Sequence, residues 1–249
     1  MLRMFFQNII AWLFFKRSEM ENVADILGEN LRTVREEIEQ AAFLCGRKLE
    51  EVTVMAVTKT HPAEYIRAAL KSGLVHIGEN RVTEGGRKIR EIGKENAVFH
   101  AIGVLHRKEV RQAARDFHRI DAVDSLAILS ELGRRKVKLP VLLEVNTSGE
   151  PAKKGFAPEA GVLEEALNLA ADNMVNVMGL LTVGPLTQDM SMRRRAFSLL
   201  RELRDISAAS SGNALPELSM GMSDDFAEAI LEGATTVRLG RRLFGSRKR

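Results

Sequence analysis

The sequence predicts a single α/β domain, a (β/α)8 barrel with one extra helix before its first strand. At 249 residues, of which 45% are hydrophobic, the chain is long enough for one large domain with a buried core. Eight short apolar runs rich in β-branched residues alternate with helix-like segments, a pattern typical of a parallel sheet. Eight such units in a chain of this length favour a closed barrel over an open sheet.

Before the barrel, apolar residues recur at helical spacing from Glu21 to Arg47, and Gly46 ends the pattern. The predicted strands are Val52–Thr58, Val75–Asn80, Val98–Val104, Arg119–Asp124, Val141–Thr147, Val175–Val183, Leu218–Met222 and Thr236–Leu239. The helical segments between them are Pro62–Lys71, Lys108–Phe117, Leu126–Lys136, Pro158–Asn173, Met192–Ala209 and Asp225–Glu232. No proline-rich linker or second domain interrupts this alternation, so we assign residues 20–249 to one barrel domain.

Residues 1–19 form an apolar leader that we treat separately. The run from Met4 to Phe15 is shorter than the roughly 20 residues that span a bilayer. It is followed directly by Lys16-Arg17 rather than by the small residues of a signal-peptide cleavage site. The leader is either a membrane-surface anchor or translated sequence upstream of a start at Met20, and we favour the second interpretation.

Charge and cysteine content narrow the function class. The formal net charge is +4, but residues 20–249 carry 34 basic and 32 acidic side chains, with the basic excess in the tail 241–249. We therefore expect neither a nucleic-acid partner nor membrane binding. A single cysteine, Cys45, and ten methionines fit a reducing compartment, which predicts the cytoplasm.

In an α/β barrel the chemistry lies in the loops at the carboxyl ends of the strands. Lys59 follows the first predicted strand, and burial there would favour the neutral amine that attacks an aldehyde to form a Schiff base. The alternative is an ordinary solvated lysine in a loop.

Two glycine turns follow the last two predicted strands, where barrels often bind phosphate. The segment from Leu218 to Glu228 runs through a tight turn into a helix whose N-terminus could bind an anion. The alternative is an N-terminal capping box formed by Asp225 and Glu228. The second turn follows Arg238, which could equally be a structural arginine paired with a carboxylate.

Several other chemistries find no support in the sequence. The five histidines lack paired metal-ligand spacing and Cys45 is alone, so no metal site is predicted. The motifs GxSxG, GxxxxGK[ST] and GxGxxG do not occur, which argues against a serine triad, a P-loop and a Rossmann site.

From about Met20 onward, eight segments of the chain match one known family: Ala56–Thr60, Gly78–Gly85, His100–Gly103, Asn146–Gly155, Met178–Leu181, Ser219–Asp225, Val237–Gly240 and Phe244-Gly245. Through them the chain resembles the pyridoxal phosphate homeostasis proteins, whose fold is like the barrel of alanine racemase. The resemblance implies pyridoxal 5′-phosphate (PLP) as the cofactor, held as a Schiff base on Lys59, with Arg238 as the partner of its pyridine nitrogen.

The resemblance also assigns the rest of the site. It makes Ser219 or Ser223, with the backbone around Gly240, the phosphate cradle, and it places Asn80 and Asn146 at the mouth. After Gly240 the family usually has a small, often hydroxylated residue, where this chain carries Arg241 as a charged donor.

The implied function is storage, delivery or buffering of PLP, with apo forms of PLP enzymes as possible recipients and a monomer or weak dimer as the expected state. The alternative is an amino-acid racemase. Racemisation needs a second base on the opposite face of the substrate, which the racemases supply as tyrosine from a separate domain. The only tyrosine here, Tyr65, lies in the helix after Lys59, so we expect no established turnover.

Overall fold

A computed structural model describes the backbone of residues 2–245 and the side chains of residues 23–245. Eight parallel strands close into a barrel in sequence order, β1 to β8, as predicted. The strands are β1 Thr53–Val57, β2 His76–Glu79, β3 Val98–Ala101, β4 Arg119–Val123, β5 Val141–Glu144, β6 Val177–Leu181, β7 Glu217–Ser219 and β8 Thr236–Leu239. The side chains of the predicted leader, residues 1–19, lie outside the described residues.

The helices are α1 Leu2–Leu44, α2 Ala63–Lys71, α3 Val82–Ile92, α4 Val110–Asp116, α5 Leu126–Arg134, α6 Ala160–Asp172, α7 Met190–Ser211, α8 Phe226–Leu231 and α9 Arg241–Phe244. Helix α1 starts before the predicted Glu21, because residues 2–20 contain no glycine or proline that would stop it. It packs against α2, α8 and α9, and so covers the outside of the barrel where the chain closes. None of the helices in the described part is both long and apolar enough to cross a bilayer.

The predicted strands were correct in number and order, but several were too long at their carboxyl ends. The third run was expected to reach Val104, whereas β3 ends at Ala101. Beyond it Gly103 approaches the loop after β2 so closely that a Cβ atom would lie 2.1 Å from the Asn80 carbonyl oxygen. Gly103 therefore lies in a close contact between two loops, which the apolar pattern of the sequence does not reveal.

A charged network fills the amino-terminal end of the barrel. Arg119 Nη2, on the first residue of β4, donates to Glu217 Oε2, on the first residue of β7, at 2.6 Å. Because β4 and β7 are not neighbours, this ion pair crosses the barrel interior. His100 Nδ1 lies 2.5 Å from Asp121 Oδ2, and His100 Nε2 lies 3.0 Å from His76 Nδ1.

This network lowers the pKa values of His76 and Asp121. Burial, together with the positive charge of His100 and Arg119, lowers the pKa of His76 to about 4. The pKa of Asp121 is also lowered: burial opposes ionisation, but the charge of His100 and its hydrogen bond outweigh that effect. At neutral pH the network therefore contains a neutral His76 and an ionised Asp121.

We expect the protein to lose stability between about pH 6.5 and about pH 4 in part because of His76. In this pH window His76 is protonated in the unfolded chain but remains neutral in the folded protein. The free energy of unfolding therefore rises with pH. The whole pKa shift corresponds to about 3 kcal/mol of unfolding free energy. Because the ring is only half-buried and solvent screens its interactions, we expect a contribution of about 1 kcal/mol. Urea denaturation across this range should show a shallower pH dependence for His76→Gln, whereas the exposed His106→Gln should keep the original slope. Equal slopes for His76→Gln and the parent would refute this assignment.

Candidate functional site

A cavity of about 710 Å³ opens at the carboxyl ends of the strands. Its size falls within the ~300–1,000 Å³ typical of small-molecule and cofactor sites. The sequence-predicted residues that line it are Lys59, Asn80, Ser223, Arg238, Gly240 and Arg241. Six of the predicted site residues therefore lie together at one cavity.

Lys59 lies at the centre of a tight turn immediately after β1. The His61 amide donates to the Thr58 carbonyl oxygen at 3.1 Å, which closes the turn around Lys59 and Thr60. Thr60 has a φ of +67°, a left-handed conformation that is unusual for a β-branched residue. Such a conformation costs about 1–3 kcal/mol and persists only where its surroundings enforce it.

Arg238 forms part of the cavity floor and is almost completely buried. Its Nη1 donates to the Ser219 carbonyl oxygen at 2.7 Å and to Ser219 Oγ at 2.9 Å, and its Nη2 donates to the Thr182 carbonyl oxygen at 2.7 Å. No carboxylate among residues 23–245 forms an ion pair with it, so the alternative of a structural arginine paired with a carboxylate is not realised. The guanidinium is instead oriented by neutral acceptors.

Burial lowers the pKa of Arg238, an effect that the carboxylates of Glu144, Asp225 and Asp121 oppose through space. Since arginine stays protonated in proteins, the cavity floor carries a fixed positive charge. Among the described residues, Nε and one N–H of Nη2 find no acceptor. These donors are available to a ligand.

The loops after β7 and β8 meet at one side of the cavity. Gly221 has a φ of +91°, and a Cβ atom there would lie 2.6 Å from Ala229 Cβ, so the predicted glycine turn is present. Ser223 Oγ accepts a hydrogen bond from the Arg242 amide at 3.3 Å, which joins this loop to the one after β8. Arg241 pairs with Asp224 at the rim.

The predicted alternative of a capping box on α8 is not formed. Asp225 precedes α8, but its side chain makes no cap hydrogen bond to that helix. Its Oδ1 instead accepts from the Met222 amide at 2.5 Å, and burial raises the pKa of this carboxyl. Glu228 pairs with Arg193 on α7, at 3.1 Å. The turn is therefore held by its own loop and by α7.

Two predicted site residues lie outside the cavity lining and support residues within it. Ser219 is buried on β7, and its hydroxyl accepts from Arg238. Asn146 Nδ2 donates to the carbonyl oxygens of Glu150 and Lys153 at 2.9 and 3.3 Å. Of the two serines, only Ser223 reaches the cavity, while Asn146 organises the loop after β5.

Curated relatives cover nearly the whole chain. The pyridoxal phosphate homeostasis protein of Aquifex aeolicus is 38% identical over 226 residues, which cover 88% of this chain and 98% of that protein. The protein of the same name from Pseudomonas aeruginosa is 38% identical over 227 residues, covering 89% of this chain and 96% of its own. The chain belongs to the pyridoxal phosphate homeostasis protein family. The predicted resemblance is confirmed, although no family model matches the chain.

Solved structures agree with the barrel of this homeostasis family. PipY of Synechococcus elongatus, solved with PLP bound, is 30% identical, with a TM-score of 0.76 over 88% of this chain and all of that one. Alanine racemase of Corynebacterium glutamicum is 16% identical, with a TM-score of 0.68 over 90% of this chain and 62% of that enzyme. The racemase shares the fold, and the predicted racemase-like barrel is confirmed.

The only tyrosine of this family member lies beside the mouth on α2. The Tyr65 ring stacks on His61, with 4.2 Å between ring centroids, and its edge contacts Phe244. His61 lines the cavity, whereas Tyr65 does not. The tyrosine therefore supports the cavity wall in this structure.

Sequence reasoning assigned no role to an ion pair that bridges two loops over the cavity. Lys153, after β5, donates to Glu150 Oε1 at 2.8 Å and to the Gly184 carbonyl oxygen, after β6, at 2.7 Å. Glu150 in turn accepts from the Leu186 amide at 3.1 Å. The position of this loop after β5 could have marked it as part of the site. Its contact with the loop after β6 is visible only in the tertiary structure.

We expect Arg238→Lys to lower the free energy of unfolding of the cofactor-free protein by about 1–3 kcal/mol. An ammonium on a flexible stem cannot reproduce the planar geometry that satisfies both Ser219 and the Thr182 carbonyl. Urea denaturation measures the loss, and Arg241→Lys at the exposed rim is the matched control with an expected change below about 0.5 kcal/mol. Equal stabilities for the two variants would show that the buried hydrogen bonds contribute little.

Proposed function

We propose that this protein binds PLP and acts in PLP homeostasis by storing, delivering or buffering the cofactor. The observation that carries the proposal is the placement of Lys59 and Arg238. Lys59 follows β1 and Arg238 lies within β8; these strands are hydrogen-bonded neighbours, and both residues line the same cavity. An amine and a fixed guanidinium at one cavity match the two ends of a pyridoxal ring, and the names of the curated relatives point to the same cofactor.

PLP, when bound, supplies an aldehyde that condenses with a primary amine with loss of water, together with a ring nitrogen and a phosphate. We assign the amine to Lys59, which in its neutral form is the nucleophile. The closed turn at Thr58–His61 limits the directions that the Lys59 stem can take. This chain therefore fixes the position of the reacting amine through its backbone.

We assign the ring nitrogen to Arg238. The donors of Nε and Nη2 that have no acceptor among the described residues suit a pyridine nitrogen, which accepts one hydrogen bond. Because arginine donates and does not accept, it keeps such a nitrogen unprotonated. An unprotonated ring is a weak electron sink, which suits holding the cofactor better than driving proton abstraction.

We assign the phosphate to the side of the cavity formed by Ser223, Gly240 and Arg241. Ser223 offers a hydroxyl, and Gly240 has no side chain to keep an anion away from the backbone. Arg241 adds a positive charge at the rim beside Asp224. Asn80 lines the mouth, and Asn146 acts through the loop that it holds.

Binding without established turnover is the interpretation we favour over a racemase. Racemisation needs a base on each face of the substrate carbon, and Tyr65 packs on His61 outside the cavity lining. The fold shared with alanine racemase is the reason to test for racemase activity.

We further propose that the protein works in the cytoplasm, as a monomer or weak dimer, and hands PLP to apo forms of PLP enzymes without nucleic-acid or membrane partners. Leu186 and Met222 lie at the rim of the cavity with exposed apolar surface. A rim of this kind is suited to transient contact with a recipient protein.

We expect Lys59→Ala to abolish the covalent adduct that the parent protein forms with PLP. Without the Lys59 amine the cofactor is held only by non-covalent contacts, so the visible absorbance of the bound cofactor should be lost. Borohydride reduction and peptide mapping measure this, and the parent adduct should map to Lys59. The exposed Lys154→Ala is the matched control and should keep the adduct. An adduct on another lysine of the parent would overturn the assignment.

We also expect the purified protein to show no rapid racemisation of alanine or serine. No tyrosine lines the cavity in the part of the chain that the structure describes, so a second base of the racemase type is missing. Chiral chromatography after incubation with excess PLP measures the rate. A turnover near ~10 per second, a typical enzyme value, would favour the racemase instead.

A further inference from the structure

A buried lysine lies behind the turn that carries Lys59. Lys88, on α3, has 1% of its side chain exposed and does not line the cavity. Its Nζ lies 2.7 Å from Glu79 Oε1, 2.7 Å from Glu84 Oε1 and 2.7 Å from the Thr58 carbonyl oxygen. A buried ammonium is costly unless paired, and here all three of its N–H groups have an acceptor.

These contacts hold both chain neighbours of Lys59. Lys88 donates to the carbonyl oxygen of Thr58, the residue before it, and Thr58 Oγ1 also donates to Glu79 Oε1 at 2.5 Å. The amide of Thr60, the residue after it, donates to Glu84 Oε1 at 2.8 Å. Thr60 is also the residue with the left-handed φ, so the hydrogen bond falls on the strained position of the turn.

The helix backbone is shaped to allow this approach. A Cβ atom at Gly85 would lie 2.5 Å from Phe117 Cζ and 3.0 Å from Glu79 Cβ. The missing side chain lets α3 lie close to β2, and Lys88 then reaches across to the end of β1. Burial acts against ionisation of Glu84, but hydrogen bonds from Lys88 and the Thr60 amide outweigh it and lower the pKa of this carboxyl.

We propose that Lys88 and Glu84 are positioning residues, which hold the strained Thr58–His61 turn so that the Lys59 amine points into the cavity. The inference rests on the proposed role of Lys59 in binding PLP. Neither residue touches the cavity, so their effect passes through the backbone on either side of Lys59. A small displacement of a reacting group can cost as much as about a hundredfold in rate.

The test separates the position of the amine from the integrity of the cavity. Stopped-flow absorbance follows covalent capture of PLP, and borohydride trapping assigns it to Lys59. Pyridoxine 5′-phosphate, which has an alcohol in place of the aldehyde, measures non-covalent binding in the same cavity. We expect Lys88→Met and Glu84→Ala to slow capture by roughly tenfold or more, while the Kd for pyridoxine 5′-phosphate changes by less than about twofold. Arg87→Met, an exposed neighbour on α3, is the matched control and should match the parent in both assays.

Capture within about twofold of the parent in both variants would overturn the proposal. An equal loss of pyridoxine 5′-phosphate binding would also overturn it, because the whole cavity would then be disturbed. If Lys88→Met fails to fold, Glu84→Ala decides, since Glu84 is partly exposed and its loss leaves Lys88 paired with Glu79. Should the parent itself capture no PLP, the proposed function fails. Hydrogen exchange of the Thr60 amide in cofactor-free protein then tests whether Glu84 holds the turn. Faster exchange in Glu84→Ala than in the parent supports this role, and unchanged exchange refutes it.

Discussion

The pairing of β1 with β8 is the constraint on which the site depends. These strands are far apart in the chain, yet their backbones align in parallel register from Thr53↔Thr236 to Ala56↔Leu239. Closure leaves no open sheet edge and brings the ends of the first and last strands together. Lys59, which follows β1, and Arg238, within β8, face one cavity only because the ring of strands is complete.

Charged side chains in and around the barrel are accommodated in three ways. At the amino-terminal end, Arg119 and Glu217 form an ion pair across the interior. Behind the mouth, Lys88 is neutralised by two carboxylates. On the cavity floor, Arg238 has only neutral acceptors and distant negative charges. The first two arrangements pair each cation with a carboxylate, whereas Arg238, which lines the cavity, keeps donors that have no acceptor among the described residues.

The mouth is built from loops that brace one another. Lys153 joins the loops after β5 and β6, Arg193 on α7 donates to the Asp224 carbonyl oxygen at 2.7 Å, and Arg242 joins the loops after β7 and β8. Such cross-loop bonds reduce the freedom of segments that would otherwise be mobile. A pre-organised mouth loses less entropy on binding, which suits a protein whose proposed task is to hold a cofactor.

The sequence by itself determined the eight strands, their order and the strand-end positions of Lys59 and Arg238, because short apolar runs, helical spacing and glycine turns are local patterns. It did not reveal α3, where the poor helix former Gly85 is favoured by close packing on Glu79 and Phe117. Nor did it separate Ser223 from Ser219 or assign roles to Lys88 and Lys153. Those roles depend on which loops meet after the barrel closes, and contacts between residues distant in the chain are decided only by tertiary structure.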